Sequence, residues 1–345
     1  MIDFRYHVVS LISVFLALAV GIALGAGPLK ETIGDTLTGQ VQQLRGEKDA
    51  LRSELDDTSA DLADTRSYVD AAGPALLDGS LTGRRVVVVA LGSVTDSDST
   101  AIDDRLTQAG AEITGHATLT DAWADPDQRS FRQALAGNLV QFLEPAPDKA
   151  GGLEAELGAA LVQGLVGADP AAPDALTQDA SYLLEILSTG DNPLVAFDDP
   201  ITKPADAVVV VAATPAKVAA EPSPSAAPTD EDLEPQLAVV QAAQQYSAGA
   251  VLADGPRGAG TLTDAILGDD DLASTLTTVS DSSDITAQVN VPLALAARIG
   301  GKNGHYGFGE GETVIPPSVE LPPVDRTPVA PDAGSGSDDS AGSGG

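Results

Sequence analysis

Hydrophobic and polar positions divide this chain into stretches of different period. From Val8 to Leu29 no residue is charged. As a helix that stretch would rise about 33 Å, enough to cross a hydrocarbon core of about 30 Å. It predicts a transmembrane helix over 8–29. Residues 1–7 carry Asp3, Arg5 and the α-amino group, a short net-positive flank. The positive-inside tendency places that flank in the cytoplasm and everything from Lys30 onward outside, in an inner-membrane, single-pass protein. A cleaved secretory segment ending at Gly25-Ala26-Gly27 is the alternative, and would leave the mature chain in the outer envelope. Within the span Ser13, Ala17, Gly21 and Gly25 recur every four residues. Such a small-residue stripe lets two helix backbones approach closely in lipid, although Gly and Ala are also common in membrane helices generally.

Over 30–72 the period becomes 3.5. Alternating steps of four and three land on Leu37, Val41, Leu44, Lys48, Leu51, Leu55, Thr58, Leu62, Thr65 and Val69. A parallel coiled-coil stalk is expected, with Leu37, Val41, Leu44, Leu51, Leu55, Leu62 and Val69 as its seam. Arg45, Glu47, Arg52, Glu54 and Asp61 flank it as a solvated face. A lone helix cannot bury such a stripe, so a partner helix is implied; parallel self-pairing into a homodimer fits best, while Lys48, Thr58 and Thr65 weaken the seam and leave the oligomer number open. The other reading is an amphipathic helix packed back on its own globular domain. Gly73-Pro74 and Asp78-Gly79 are expected to end the helix.

From 75 to 315 the pattern is that of an α/β domain. Arg85 to Leu91 and Ala207 to Ala213 are unbroken β-branched and apolar runs, the mark of central parallel strands covered on both faces. Weaker strands are expected at 111–118, 249–253 and 276–279. Helices are expected at 100–109, 233–246 and 293–299, with a helical excursion over 127–188 (127–143, 152–166 and 173–187). In the middle helix of that excursion Leu153, Leu157, Leu161 and Leu165 line one face. Five strands alternating with helices imply a Rossmann or flavodoxin-like open parallel sheet. Residues 214–232, rich in Pro, Ala and Ser, are expected to be a mobile loop. The Pro-rich, then Gly/Ser/Asp-only stretch 316–345 is expected to be a disordered tail.

Composition changes the picture mainly by exclusion. The 345 residues include 51 acidic against 18 basic ones, a formal charge of -33, so nucleic acid is not an expected partner. Cysteine is absent, which removes disulfides, thiolate metal sites and Cys nucleophiles. The loop Leu91-Gly92-Ser93-Val94 is no dinucleotide fingerprint, and there is no P-loop, H-E-x-x-H or G-x-S-x-G motif. Asp96-x-Asp98-x-Thr100 lacks the later residues of a calcium loop and fits helix capping better. Asp269-Asp270-Asp271 is expected to be a solvated turn. Of His7, His116 and His305, only the last has a suggestive setting, Gly304-His305-Tyr306-Gly307, read here as a turn whose aromatic pair packs on the sheet. No catalytic, cofactor or metal site is expected.

Arg5-Tyr6-His7-Val8-Val9-Ser10-Leu11, the apolar run closing in Gly21-Ile22-Ala23-Leu24-Gly25, the heptads and Gly304-His305-Tyr306-Gly307 together resemble one actinobacterial group. It is the family of the copper transport outer-membrane protein MctB, which includes SteB-like envelope proteins tied to cell division. The resemblance extends over about residues 1–316 and marks Arg5, Tyr6, His7, Gly304, His305, Tyr306 and Gly307. It implies copper transport or homeostasis across the envelope, or regulation of cell division and wall remodelling through an envelope or cytoplasmic partner. Copper enters by that resemblance alone. Cu(I) favours thiolate, thioether and imidazole ligands, whereas this chain has no Cys, only Met1 and three scattered His. A membrane barrel needs many alternating segments, and the clearest strands here do not alternate. The residues therefore argue for a non-catalytic envelope protein that is not a self-contained pore.

Overall fold

The computed structural model describes residues 4–26, 28–148, 151–212 and 230–329. The chain falls into two compact units, Met1–Ser67 and Tyr68–Gly345.

The first unit is helical. Helix α1 (Phe4–Ala26) contains the 22-residue apolar span Phe4–Gly25. It begins before Val8 because a helix propagates through Arg5, Tyr6 and His7 as readily as through the apolar run behind them. The apolar span Phe4–Gly25 overlaps most of the expected 8–29, and Gly27 lies outside the described residues. The Ser13 hydroxyl donates to the Val9 carbonyl at 2.8 Å, so its polarity is satisfied inside the helix. Helix α2 (Pro28–Leu77) follows. Thr58 and Thr65, the polar interruptions of the heptad stripe, likewise donate to the carbonyls of Glu54 and Asp61.

The last turns of α2 belong to the second unit. The helix does not break at Gly73-Pro74 but runs on to Leu77. Pro74 costs one backbone hydrogen bond. Burial compensates: Leu77 is fully buried, and a Cβ on Gly73 would lie 2.9 Å from the Arg105 guanidinium. Arg105 itself is ion-paired to Asp70. Val69, expected in the coiled-coil seam, packs against the core of this unit.

Next come β1 (Arg85–Ala90), α3 (Asp96–Gln108) and β2 (Glu112–Leu119), then α4 (Arg129–Leu139) and α5 (Gly152–Val166). A small hairpin, β3 (Ala168–Asp169) with β4 (Ala172–Leu176), precedes α6 (Gln178–Ser188) and β5 (Val195–Phe197). The chain continues through β6 (Ala207–Val211), α7 (Asp230–Tyr246), β7 (Ala250–Ala253), α8 (Leu262–Leu267) and α9 (Asp270–Thr275). It closes with β8 (Thr278–Val279), α10 (Ile285–Ile299) and β9 (His305–Tyr306). The sheet order is β5-β2-β1-β6-β7-β8-β9, parallel throughout except for β5.

Strand side chains alternate between faces, and both faces here are apolar. Val87, Val89, Val208, Val210 and Leu252 meet one helical layer that includes α5 and α7. Val86, Val88, Val209, Val211 and Val251 meet the other, containing α3 and α10. Each fully buried Val or Leu contributes about 1.5–3 kcal/mol, so the two valine runs that announce the fold also hold it together. The expected leucine face of α5 is real: Leu157, Leu161 and Leu165 are fully buried. Close contact with α7 depends on Gly158, where a Cβ would sit 2.8 Å from the Ala238 carbonyl oxygen.

Several expectations are corrected. The helix expected over 173–187 starts at Gln178, because Ala172–Leu176 pairs in the small hairpin. Helix α7 begins at Asp230, so only 230–232 of the expected loop 214–232 are described and they are helical. Asp269-Asp270-Asp271 is solvent-exposed as expected, and the Asp269 carboxylate also caps α9 through the amides of Asp271 and Leu272. Asp96 and Asp98 do sit in the first turn of α3, behind the N-cap Thr95. His305-Tyr306 forms an edge strand instead of a turn. Residues 316–329 are not a free tail: Leu321 packs on the core and Arg326 is ion-paired to Asp206. Residues 330–345 lie outside the described residues.

Candidate functional site

The stretch 303–313 closes the β9 edge. The Asn303 amide and the His305 Nε2 both reach the Ala273 carbonyl, at 2.8 and 3.0 Å. A carbonyl can only accept, so Nε2 carries a hydrogen. Nδ1 is 2.9 Å from the Thr278 hydroxyl. Both ring nitrogens of His305 are therefore engaged. The Tyr306 ring lies over Gly304, where a Cβ would come within 2.4 Å of the phenol oxygen. Burial pushes the Tyr306 phenol up from its ordinary range.

Gly307 leaves room for two oxygens: a Cβ there would fall 2.1 Å from Ser280 Oγ and 2.4 Å from Glu312 Oε2. The Glu312 side chain is completely buried. Its Oε2 accepts from the Ser280 hydroxyl at 3.0 Å and the Gly309 amide at 2.7 Å. Oε1 faces Arg257 Nη1 at 3.6 Å, and Arg257 also pairs with Asp264. Beside them Asp254 accepts from the amides of Gly255 and Thr263, each at 2.8 Å. Burial raises its carboxyl despite those bonds. These groups cluster at the carboxyl ends of β7, β8 and β9, the side of an open α/β sheet where ligands bind. Sequence reading reached Gly304 to Gly307 but missed Asp254, Arg257, Ser280 and Glu312. Only the Gly-rich spacing after His305 hinted that something must approach the backbone closely there.

At the opposite edge a register shift in the β1–β2 pairing sets Val86 against Ile113 but Val87 against Gly115. The extra residue turns His116 onto the α3 face, where Nε2 meets Asp103 at 2.9 Å. That bond, with Asp198 and Asp199 nearby, raises the imidazole above its ordinary range against the cost of burial. Among the described residues no group of three or more His, Cys, Asp or Glu side chains is placed to hold a metal ion.

The remaining sequence-selected residues are in the first unit, exposed. Arg5, Tyr6 and His7 occupy the first turns of α1, and Ser13, Ala17, Gly21 and Gly25 follow along it. Added Cβ atoms at Gly21 and Gly25 would meet nothing within 4 Å. On α2, Leu37, Val41, Leu44, Leu51, Leu55 and Leu62 are 41–65% exposed. Half-burying six such side chains against a partner would release on the order of 5–10 kcal/mol.

A family model described as "Copper transport outer membrane protein, MctB" matches residues 1–317. The chain belongs to the MctB family. The copper transporter MctB of Mycobacterium tuberculosis (strain ATCC 25618 / H37Rv) is 28% identical over 322 residues, spanning 90% of this chain and 98% of the relative. That of Mycobacterium leprae (strain TN) is 30% identical over 329 residues, spanning 91% and 99%. The match to the MctB family takes in the apolar helix, the heptad stripe and the whole sheet through Thr313, and it ends two residues after Ile315. The two motifs that suggested the family lie in different units.

Proposed function

We propose that this MctB-family member works in copper homeostasis across the cell envelope as a membrane-anchored, non-catalytic protein. In this reading α1 is an uncleaved single-pass anchor with its N-terminus in the cytoplasm. The heptad stripe of α2 pairs two copies in parallel. The α/β domain, a doubly wound sheet of flavodoxin-like order (β2-β1-β6-β7-β8), is held outside as a docking head. Copper is handled through a partner protein, and the chain is not itself the conduit.

The observation that carries this reading is the filling of the sheet. Among the described residues both of its faces are packed with aliphatic side chains, which supports a head that is not built as the polar-lined lumen a barrel pore requires. The donor set agrees: Cu(I) prefers soft ligands, and His305 is engaged at both nitrogens. The exposed stripe on α2 serves equally a second reading, a dimeric regulator of cell division or wall remodelling.

Deleting the gene and scoring copper sensitivity and division morphology together tests the two. Copper sensitivity with normal morphology, restored by the full chain but not by a chain lacking α1, supports the first. Aberrant morphology with normal copper tolerance overturns it in favour of the second.

A further inference from the structure

Residues 316–329 contain neither helix nor strand, yet they are fastened along the amino-terminal edge of the sheet. Pro316, Pro317, Pro322, Pro323 and Pro328 lack amide hydrogens, so this segment cannot join a ladder and is held by carbonyls and side chains instead. Arg84 Nη2 donates to the Pro322 carbonyl at 2.9 Å. The Leu321 side chain packs on the core cluster that holds Leu77, Leu81 and Val86. Arg326 donates to the Gly83 carbonyl at 3.0 Å and to Asp206 Oδ2 at 2.5 Å. The Val329 amide donates to the Pro170 carbonyl at 2.8 Å.

The receiving side is built independently of this strap. Asp206 Oδ2 also accepts the Arg85 amide at 2.7 Å. The buried Arg85 guanidinium is pinned by Asp174 at 2.5 Å and the Pro173 carbonyl at 3.2 Å. Beneath the strap a hollow of about 310 Å³ is lined by Arg84, Arg85, Asp206 and Tyr246. Gly83, Arg84, Pro170 and Asp206 all fall within the family match, whereas Leu321, Pro322, Arg326 and Val329 lie beyond its end at residue 317. The mycobacterial relatives are covered over 98–99% of their own length while about a tenth of this chain is left over. The groove thus belongs to the family's part of the chain and its occupant to an extension.

We propose that this edge is a receptor groove for an extended, proline-rich segment of a partner protein, one with an apolar anchor followed five residues later by an arginine. Residues 318–329 occupy it in cis as an intramolecular competitor. Asp206 and the Gly83 carbonyl read the arginine, Arg84 reads a carbonyl that proline cannot shield, and the core takes the apolar anchor. Tethering supplies the strap at an effective concentration of about millimolar. A few hydrogen bonds and one partly exposed ion pair therefore suffice to hold it, and a partner can displace it. This deepens the reading of the head as a docking module and rests on it.

The test uses the chain in nanodiscs, whole or ending at Pro317, titrated against a fluorescent synthetic peptide of residues 316–329. The shortened chain is expected to bind at least tenfold more tightly than the full chain. Replacing Arg326→Ala in the peptide, or Asp206→Asn in the shortened chain, should each cost at least tenfold. As a second route that leaves the length intact, Leu321→Ser with Arg326→Ala in the full chain should raise binding of the unaltered peptide at least tenfold. Equal, weak binding by a folded shortened chain and by the doubly substituted full chain overturns the proposal. So does energy transfer showing that the strap exchanges between two copies. Either failure concerns the groove alone and leaves the copper and morphology outcomes of the deletion strain as they stand.

Discussion

His116 and Asp103 are joined at 2.9 Å across the β2–α3 boundary. The bond to Asp103 raises the imidazole above 6.5, with Asp198 and Asp199 adding to it. The raised folded value fixes the sign of the pH dependence. The contribution to stability is fully present below the unfolded value near 6.5 and fades as pH rises through the higher folded value. A denaturant titration at several pH values should show wild type losing stability relative to His116→Gln as pH rises above about 6.5. A constant difference between the two would show that the pair does not titrate as described.

Gly307 and Gly46 should respond oppositely to alanine. At Gly307 the new methyl would collide with Ser280 and Glu312, at 2.1 and 2.4 Å. The expected cost is about 2–4 kcal/mol. Gly46 lies within α2 with nothing within 4 Å of an added Cβ, so Gly46→Ala should stabilise that helix by about 0.5–1 kcal/mol. Urea midpoints and thermal scans of helicity measure the two changes.

Glu312 is buried with its charge answered mainly by Arg257 at 3.6 Å. Glu312→Ala strands the Ser280 hydroxyl and the Gly309 amide, and should cost about 3 kcal/mol or more. Arg257→Ala should cost at least as much, because it leaves the wholly buried Glu312 carboxylate without its cation, whereas Glu312→Ala leaves a quarter-exposed Arg257 still paired with Asp264. A loss for Arg257→Ala well below that for Glu312→Ala in urea unfolding would contradict this ranking.

The exposed stripe of α2 predicts a contact between copies. Single cysteines at Leu51 and Leu55, introduced into this cysteine-free chain, should form disulfide dimers in membranes under mild oxidation. A cysteine at Arg52, on the flank, should not. Leu51→Asp with Leu55→Asp should abolish dimers formed through either neighbouring site. Equal cross-linking at positions 51, 52 and 55 would indicate random collision.

The central strands were legible because β1 and β6 are buried on both faces, so their sequences cannot alternate: Val86 to Val89 and Val208 to Val211 are all apolar. Short edge strands gave no such signal. β5 and β9 have three and two residues and are defined by pairing with β2 and β8, partners remote in sequence. Val69 was misassigned because one 3.5-residue spacing serves both a seam and a core. The strap was invisible for a different reason. Pro-rich composition reads as disorder, while the groups that hold Arg326, Gly83 and Asp206, are more than a hundred residues away. At the β9 edge the sequence showed the glycines but not the buried carboxylate for which they make room.

Copper content and conductance, measured on the same purified full-length chain, bear most directly on a head that is neither pore nor copper store. After equilibration with Cu(I) and exhaustive dialysis, the chain in nanodiscs should retain well under one copper per protomer. In planar bilayers the same preparation should give no reproducible conductance steps. One tightly held copper per chain, or discrete channel events that scale with protein and vanish with Leu51→Asp, would contradict the account.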